Sequence, residues 1–67
     1  MKFSFGINFK KLRMRANLTQ LEVAKALQIS RQSISKWESE RGLPSILMLP
    51  EIIIVLKCTY EELFAQY

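Results

Sequence analysis

Residue types that build catalytic and metal sites are absent or scarce in this sequence. It contains no histidine and a single cysteine, Cys58, among its 67 residues. A structural zinc site needs several Cys or His ligands, and a nucleophile activated by histidine needs that histidine. One cysteine also excludes an internal disulfide and suits a reducing compartment. The composition therefore predicts neither an enzyme nor a metalloprotein.

Glycine, proline and long apolar runs are scarce as well. With two glycines and two prolines, the chain has no glycine-rich loop for a phosphate group, and we expect no cofactor. The apolar run over residues 46–56 is about half as long as a membrane span and contains Pro50 and Glu51. No signal peptide precedes Lys10. These absences predict a soluble cytoplasmic protein without a membrane partner.

What the chain does have is a globular composition and an uneven charge. It is 49% hydrophobic and 24% charged, which is typical of one small domain over residues 1–67. Residues 1–36 carry eight Lys or Arg and one acid, whereas residues 37–67 carry two bases and five acids. The first part, at +7, attracts polyanions such as nucleic acid, and the second, at −3, does not.

Helix-start and turn signals predict an all-α fold. Thr19 and Thr59 are each followed three residues later by a glutamate, which is the capping-box pattern, and Ser30 is a good N-cap residue. The predicted helices cover residues 7–15, 19–27, 30–38 and 45–57, with a short fifth helix from residue 59. The first helix is predicted to bury Ile7, Phe9 and Leu12. Pro50 predicts a short first turn or a kink in the fourth, and residues 1–5 are predicted to be extended.

Residues 18–45, LTQLEVAKALQISRQSISKWESERGLPS, resemble the lambda-repressor/Cro-type helix-turn-helix domains, also called the XRE family. The positions that match the family pattern are Leu18, Thr19, Gln20, Val23, Ala24, Leu27, Ile29, Ser30, Ile34, Trp37, Glu38 and Pro44. The match continues through Leu49, Ile52, Leu56, Leu63 and Phe64. It implies a five-helix domain whose second and third helices, over about residues 19–38, form the helix-turn-helix.

The resemblance also implies which residues meet double-stranded DNA. The helix over residues 30–38 is expected to enter the major groove, where Arg suits guanine and Gln suits adenine. The predicted base-reading residues are Arg31, Gln32, Ser33 and Lys36. The predicted phosphate contacts are Gln20, Ser30, Lys10, Lys11, Arg15 and Arg41. Spacing alone leaves open that this polar edge is an ordinary solvated helix face.

Structural roles follow from the same pattern. Arg13 and Glu38 match family positions that form a partly buried ion pair. Trp37 is predicted to lie in the core, and Cys58 to be an inert packed thiol. Gln28 and Glu40 stand where the family commonly has glycine, so either is strained if its φ angle is positive.

One apolar stretch predicts an interface. Residues 52–56 are five consecutive apolar residues, which cannot all face one side of a helix. The family usually has alanine and a polar residue where this chain has Ile53 and Ile54. The predicted dimer or partner surface comprises Ile53, Ile54, Leu63, Phe64 and Tyr67.

Together these features predict a transcriptional repressor that binds a palindromic operator as a homodimer. The resemblance places such a protein with the nucleoid of a prokaryote or in a phage system. The alternative is an antitoxin-type module that binds a protein partner through the isoleucine-rich surface and autoregulates its operon. A third possibility is a fragment whose effector domain would follow residue 67.

Overall fold

Five short α-helices build the domain in the computed structural model, which describes residues 3–66. They are α1 (Phe5–Arg15), α2 (Gln20–Leu27), α3 (Arg31–Glu38), α4 (Leu49–Leu56) and α5 (Tyr60–Leu63). No strand forms within this described part, where an isolated antiparallel bridge joins Phe3 to Gln66. The predicted all-α, five-helix fold is therefore confirmed. None of the helices in residues 3–66 is long and apolar enough to cross a membrane.

Side-chain caps determine where the helices begin. Thr19 and Thr59 each form the predicted capping box, with Glu22 and Glu62 respectively. Helix α1 begins two residues earlier than predicted, because the Ser4 hydroxyl accepts a hydrogen bond from the backbone N–H of Ile7 at 3.1 Å.

The earlier start changes the buried side of α1. Phe5, Phe9 and Leu12, spaced four and three residues apart, face the core. The prediction that Ile7 belongs to this side is wrong, since 47% of its surface is exposed.

The fourth predicted helix is divided into two elements. A 3-10 turn over Ile46–Met48 precedes α4, which confirms the short first turn expected from Pro50. This proline lies in the first turn of α4, where an N–H would have no partner within the helix, so its missing N–H costs no helical hydrogen bond.

The core lies between the five helices: α3 packs against both α1 and α2, α4 packs against α2, and α5 packs against α1. Its fully buried large side chains are Phe9, Val23, Ile34, Ile52, Leu56 and Leu63. Trp37 belongs to this core, as predicted, and packs edge-on against Phe9 at a centroid distance of 5.7 Å. The placement of Leu63 on the dimer surface is wrong, because its side chain is completely buried. Burial raises the pKa of the Cys58 thiol, which disfavours the reactive thiolate.

The two residues that stand where the family commonly has glycine both adopt the left-handed backbone conformation. Gln28 has a φ angle of 59° and Glu40 one of 65°. Such a conformation costs a residue with a side chain about 1–2 kcal/mol. Gln28 ends α2, and Glu40 follows the end of α3, so the two positions flank the third helix.

Candidate nucleic-acid interface

The turn between α2 and α3 is tight. The left-handed Gln28 ends α2, and the backbone N–H of Ile29 then bonds the Ala24 carbonyl at 3.0 Å. The Ser30 hydroxyl accepts from the Ser33 N–H at 3.2 Å and starts α3. Because only three residues separate the two helices, α3 must cross α2 at a steep angle.

Helix α3 has one buried and one open side. Ile34 and Trp37 face the core. The open side borders a shallow groove of about 500 Å³ that is lined by Ser30, Arg31, Gln32, Ser33, Ser35, Lys36 and Arg41. Three of these seven residues are cationic and none is acidic. The fold therefore brings all four predicted base-reading residues together with two predicted phosphate contacts.

A buried ion pair holds α3 against α1. The Arg13 Nε lies 2.6 Å from Glu38 Oε2, and the exposed fractions of the two side chains are 12% and 5%. Arg13 also donates to Glu38 Oε1 at 3.0 Å and to the Leu18 carbonyl at 2.9 Å. This fork geometry is the strongest form of an arginine–carboxylate contact.

Gln20 connects this ion pair to the open side of α3. Its Nε2 donates to Glu38 Oε1 at 3.1 Å, and its Oε1 accepts from an Arg31 Nη1 hydrogen at 3.1 Å. An ionised carboxylate only accepts hydrogen bonds, so Glu38 dictates that the Gln20 oxygen faces Arg31. Gln20 thus orients the Arg31 guanidinium, while one Nε2 hydrogen of Gln20 remains for a phosphate.

The other predicted phosphate contacts separate into two groups. Arg41 lines the groove, and its Nε donates to the Ser39 hydroxyl at 2.9 Å. Lys10 and Lys11 are exposed on α1 but do not line the groove. Arg15 lies near the start of α5, where it forms an ion pair with Glu62 and donates to the Lys57 carbonyl at 3.4 Å.

The ion pair of Arg15 shifts both pKa values. Its hydrogen bond lowers the pKa of the Glu62 carboxyl from 4.5 to about 2, and the Thr59 N–H adds to this effect. The same hydrogen bond raises the pKa of Arg15. A phosphate contact by Arg15 would have to compete with Glu62.

The predicted dimer surface is only partly exposed. Ile54 is 72% exposed, Ile53 is half-buried, and Phe64 is exposed while stacking on Phe3 at a centroid distance of 5.8 Å. Tyr67 lies outside the described residues.

Some site residues were missed by the sequence reading. Ser35 lines the groove, and its position four residues after Arg31 on the same helix could have revealed it. Leu43, Ile46 and Leu47 are each more than 70% exposed, and no periodic signal identified them.

Within residues 3–66, no cluster of His, Cys, Asp or Glu could hold a metal ion.

Comparison with known proteins agrees with this geometry. A helix-turn-helix family model matches residues 9–63. The chain is 39% identical over 61 residues to the HTH-type transcriptional activator BcrR of Enterococcus faecalis, covering 91% of this chain and 30% of that relative.

Solved structures share the fold. The clp gene regulator ClgR from C. glutamicum superposes with a TM-score of 0.80 at 22% identity, over 88% of this chain and 76% of that one. The restriction-modification controller protein C.AhdI from Aeromonas hydrophila gives a TM-score of 0.80 at 23% identity, over 90% and 91% of the two chains.

Proposed function

The chain belongs to the XRE-type helix-turn-helix family of DNA-binding domains, and from that premise we propose that it regulates transcription by placing α3 in the major groove. The family is one of DNA-binding regulators and not of enzymes. The chain spans about a third of the length of the curated relative that it matches.

The observation that carries the proposal is the chemistry of the groove along α3. Arg31, Lys36 and Arg41 supply positive charge, Gln32 and the serines supply neutral hydrogen-bonding groups, and no acid lines the groove. Phosphates are attracted by the cations, and base edges are read by planar, bidentate side chains. A helix face that is only solvated is expected to carry acidic as well as basic side chains.

The network behind α3 supports base reading by Arg31. Gln20 holds one Nη1 hydrogen of Arg31, which leaves Nη2 and the remaining Nη1 hydrogen for a guanine O6 and N7 pair. A guanidinium that is oriented before binding loses less conformational entropy on contact.

We propose further that the protein binds a palindromic operator as a homodimer. One recognition helix reads too few base pairs for specificity in a genome, whereas a two-fold dimer presents two helices about 34–36 Å apart. Ile53, Ile54 and Phe64 form the proposed dimer surface. Binding represses transcription where the operator overlaps a promoter. Because the relative is named an activator, a reporter gene under control of the operator tests whether this chain represses or activates.

Selection of bound duplexes from a random pool tests the proposal. The expected result is one enriched motif with two inverted half-sites. Arg31→Ala should weaken binding to that motif by about 1–3 kcal/mol and relax the preference at one base pair in each half-site. Lys25→Ala, on the exposed surface of α2, is the matched control and should keep the preference. No enrichment with the wild-type protein would overturn the proposal.

Salt titrations separate phosphate contacts from base contacts. Lys10→Ala should reduce the slope of log affinity against log salt by about one if Lys10 meets a phosphate, with the motif unchanged. The same holds for Lys11→Ala.

A protein partner is a second candidate for the exposed apolar side chains. Ile46, Leu47 and Ile54 are each more than 70% exposed, and exposed apolar side chains that form one patch mark an interaction surface. Sedimentation of the isolated chain distinguishes the candidates: a stable dimer supports the self-contained regulator, and a monomer that is captured by a co-encoded toxin supports the antitoxin alternative.

A further inference from the structure

Glu40 occupies an unfavourable backbone position directly after the proposed recognition helix. Its φ angle is 65°, and its N–H bonds the Trp37 carbonyl at 3.2 Å. Glycine is the residue best suited to this conformation. The Glu40 side chain makes a contact that can offset this cost.

The carboxylate of Glu40 binds the start of α1. Its Oε1 accepts a hydrogen bond from the Gly6 N–H at 2.9 Å and another from the Ser4 hydroxyl. The first N–H groups of a helix have no partner within the helix, and the helix dipole favours negative charge there. Glu40 therefore caps α1 from a position 34 residues away in sequence.

The end of α3 lies in direct contact with the same turn of α1. A side chain at Gly6 would place its Cβ 2.4 Å from the Trp37 carbonyl oxygen and 2.9 Å from that of Glu38. The last carbonyls of α3 and the Glu40 carboxylate thus meet the positive end of α1. The angle between the two helices is held by this junction as well as by the Arg13–Glu38 pair.

Arg41 directly follows Glu40 in the turn after α3. The Arg41 N–H bonds the Lys36 carbonyl at 2.8 Å, and with the Glu40 N–H bond this forms a Schellman motif at the end of α3. Arg41 directly follows this turn and lines the groove together with Lys36. Because the Glu40 carboxylate fastens the turn to the start of α1, it restricts the movement of Arg41.

We propose that Glu40 is a positioning residue for DNA binding, which holds Arg41 at the edge of the groove by bridging the end of α3 to the start of α1. The inference rests on the proposed function. It assigns to a negatively charged residue a favourable effect on DNA affinity, which is the opposite of what its charge alone would produce.

Replacing Glu40 by glycine tests the proposal. Glu40→Gly keeps the left-handed turn, removes the bridge and removes a negative charge. Charge alone predicts tighter operator binding. The proposal predicts affinity about threefold to tenfold weaker and a salt slope reduced by about one, as when one phosphate contact is lost. Glu40→Gln keeps an acceptor oxygen for the Gly6 N–H. Its affinity for the operator should therefore be no lower than that of Glu40→Gly and closer to that of the wild-type protein.

Gln28→Gly is the matched control. Gln28 has the same backbone conformation, but its side chain makes no hydrogen bond within residues 3–66. Glycine there should leave operator affinity and salt slope unchanged and raise the melting temperature.

A double-mutant cycle tests whether Glu40 acts through Arg41. In an Arg41→Ala background, Glu40→Gly should cause no further weakening. Operator affinity of Glu40→Gly equal to or above wild type, or an equal loss in both backgrounds, would overturn the inference and leave the proposed function intact. A wild-type protein that selects no operator would overturn both.

Discussion

Helix α1 meets two neighbours through ion pairs of the same chemistry but very different burial. At the α1–α3 junction, the Arg13 and Glu38 side chains are 12% and 5% exposed; at the α1–α5 junction, those of Arg15 and Glu62 are 51% and 39% exposed. Water screens the second pair and is excluded from the first. Two arginines two residues apart therefore contribute differently to stability, because the energy of an ion pair depends on how far its surroundings exclude water.

The α1–α5 junction instead depends on a neutral buried side chain. Asn8 donates through Nδ2 to the carbonyls of Leu63 at 3.0 Å and Ala65 at 2.9 Å. These carbonyls lie at the end of α5, where helical partners are missing. A buried amide thus does here what a buried ion pair does at α3.

Glu38→Ala should have the largest effect on stability. It leaves the Arg13 guanidinium buried without its carboxylate, which costs about 3–5 kcal/mol, and it removes the group that orients Gln20. Both the melting temperature and the affinity for DNA should fall. Glu61→Ala, an exposed glutamate on α5, is the control. An unchanged melting temperature for Glu38→Ala would mean that the two junctions do not differ as described.

Asn8→Ala should have an intermediate effect. Two carbonyls at the end of α5 lose their donor, and leaving buried polar groups unsatisfied costs about 1–3 kcal/mol. Urea unfolding measures the change, with Lys10→Ala on the exposed side of α1 as the reference. A loss no greater than that of the reference would show that water replaces the Asn8 amide without cost.

Arg15→Ala should have the smallest effect at neutral pH, because water screens this pair. The difference in stability between this variant and wild type should disappear as the pH is lowered. The pKa of Glu62 is lowered from 4.5 to about 2 in the folded protein, so the stabilisation is complete above pH 4.5 and is lost as the pH falls towards 2. Between pH 5 and pH 2, the melting temperature of Arg15→Ala should fall less steeply with decreasing pH than that of the wild-type protein. Parallel curves would argue against the Arg15–Glu62 interaction in solution.

Local signals in the sequence located the helices well. Thr19, Ser30 and Thr59 mark helix starts that the structure has, because a cap is a contact between residues three apart and needs no tertiary information. The start of α1 was misplaced because Gly6, a weak helix former, lies in its first turn and obscured the helical pattern. Leu63 was misassigned since one turn of helix carries too little periodicity to show which side is buried.

The sequence by itself determined where α2, α3 and α5 begin, the basic charge of the first 36 residues and the polar edge of the third helix, since these depend on residue type and on neighbours within one turn. Only the tertiary structure decided which charges are available to DNA. Arg15 was predicted to contact phosphate, yet the fold gives it the Glu62 carboxylate. The Arg13–Glu38 pair, by contrast, was already implied by the family resemblance and is present. Arg41, in a loop, is instead brought to the groove. Glu40 shows the same dependence, because its unfavourable backbone conformation is offset by a contact with the first turn of α1 that exists only after the chain has folded.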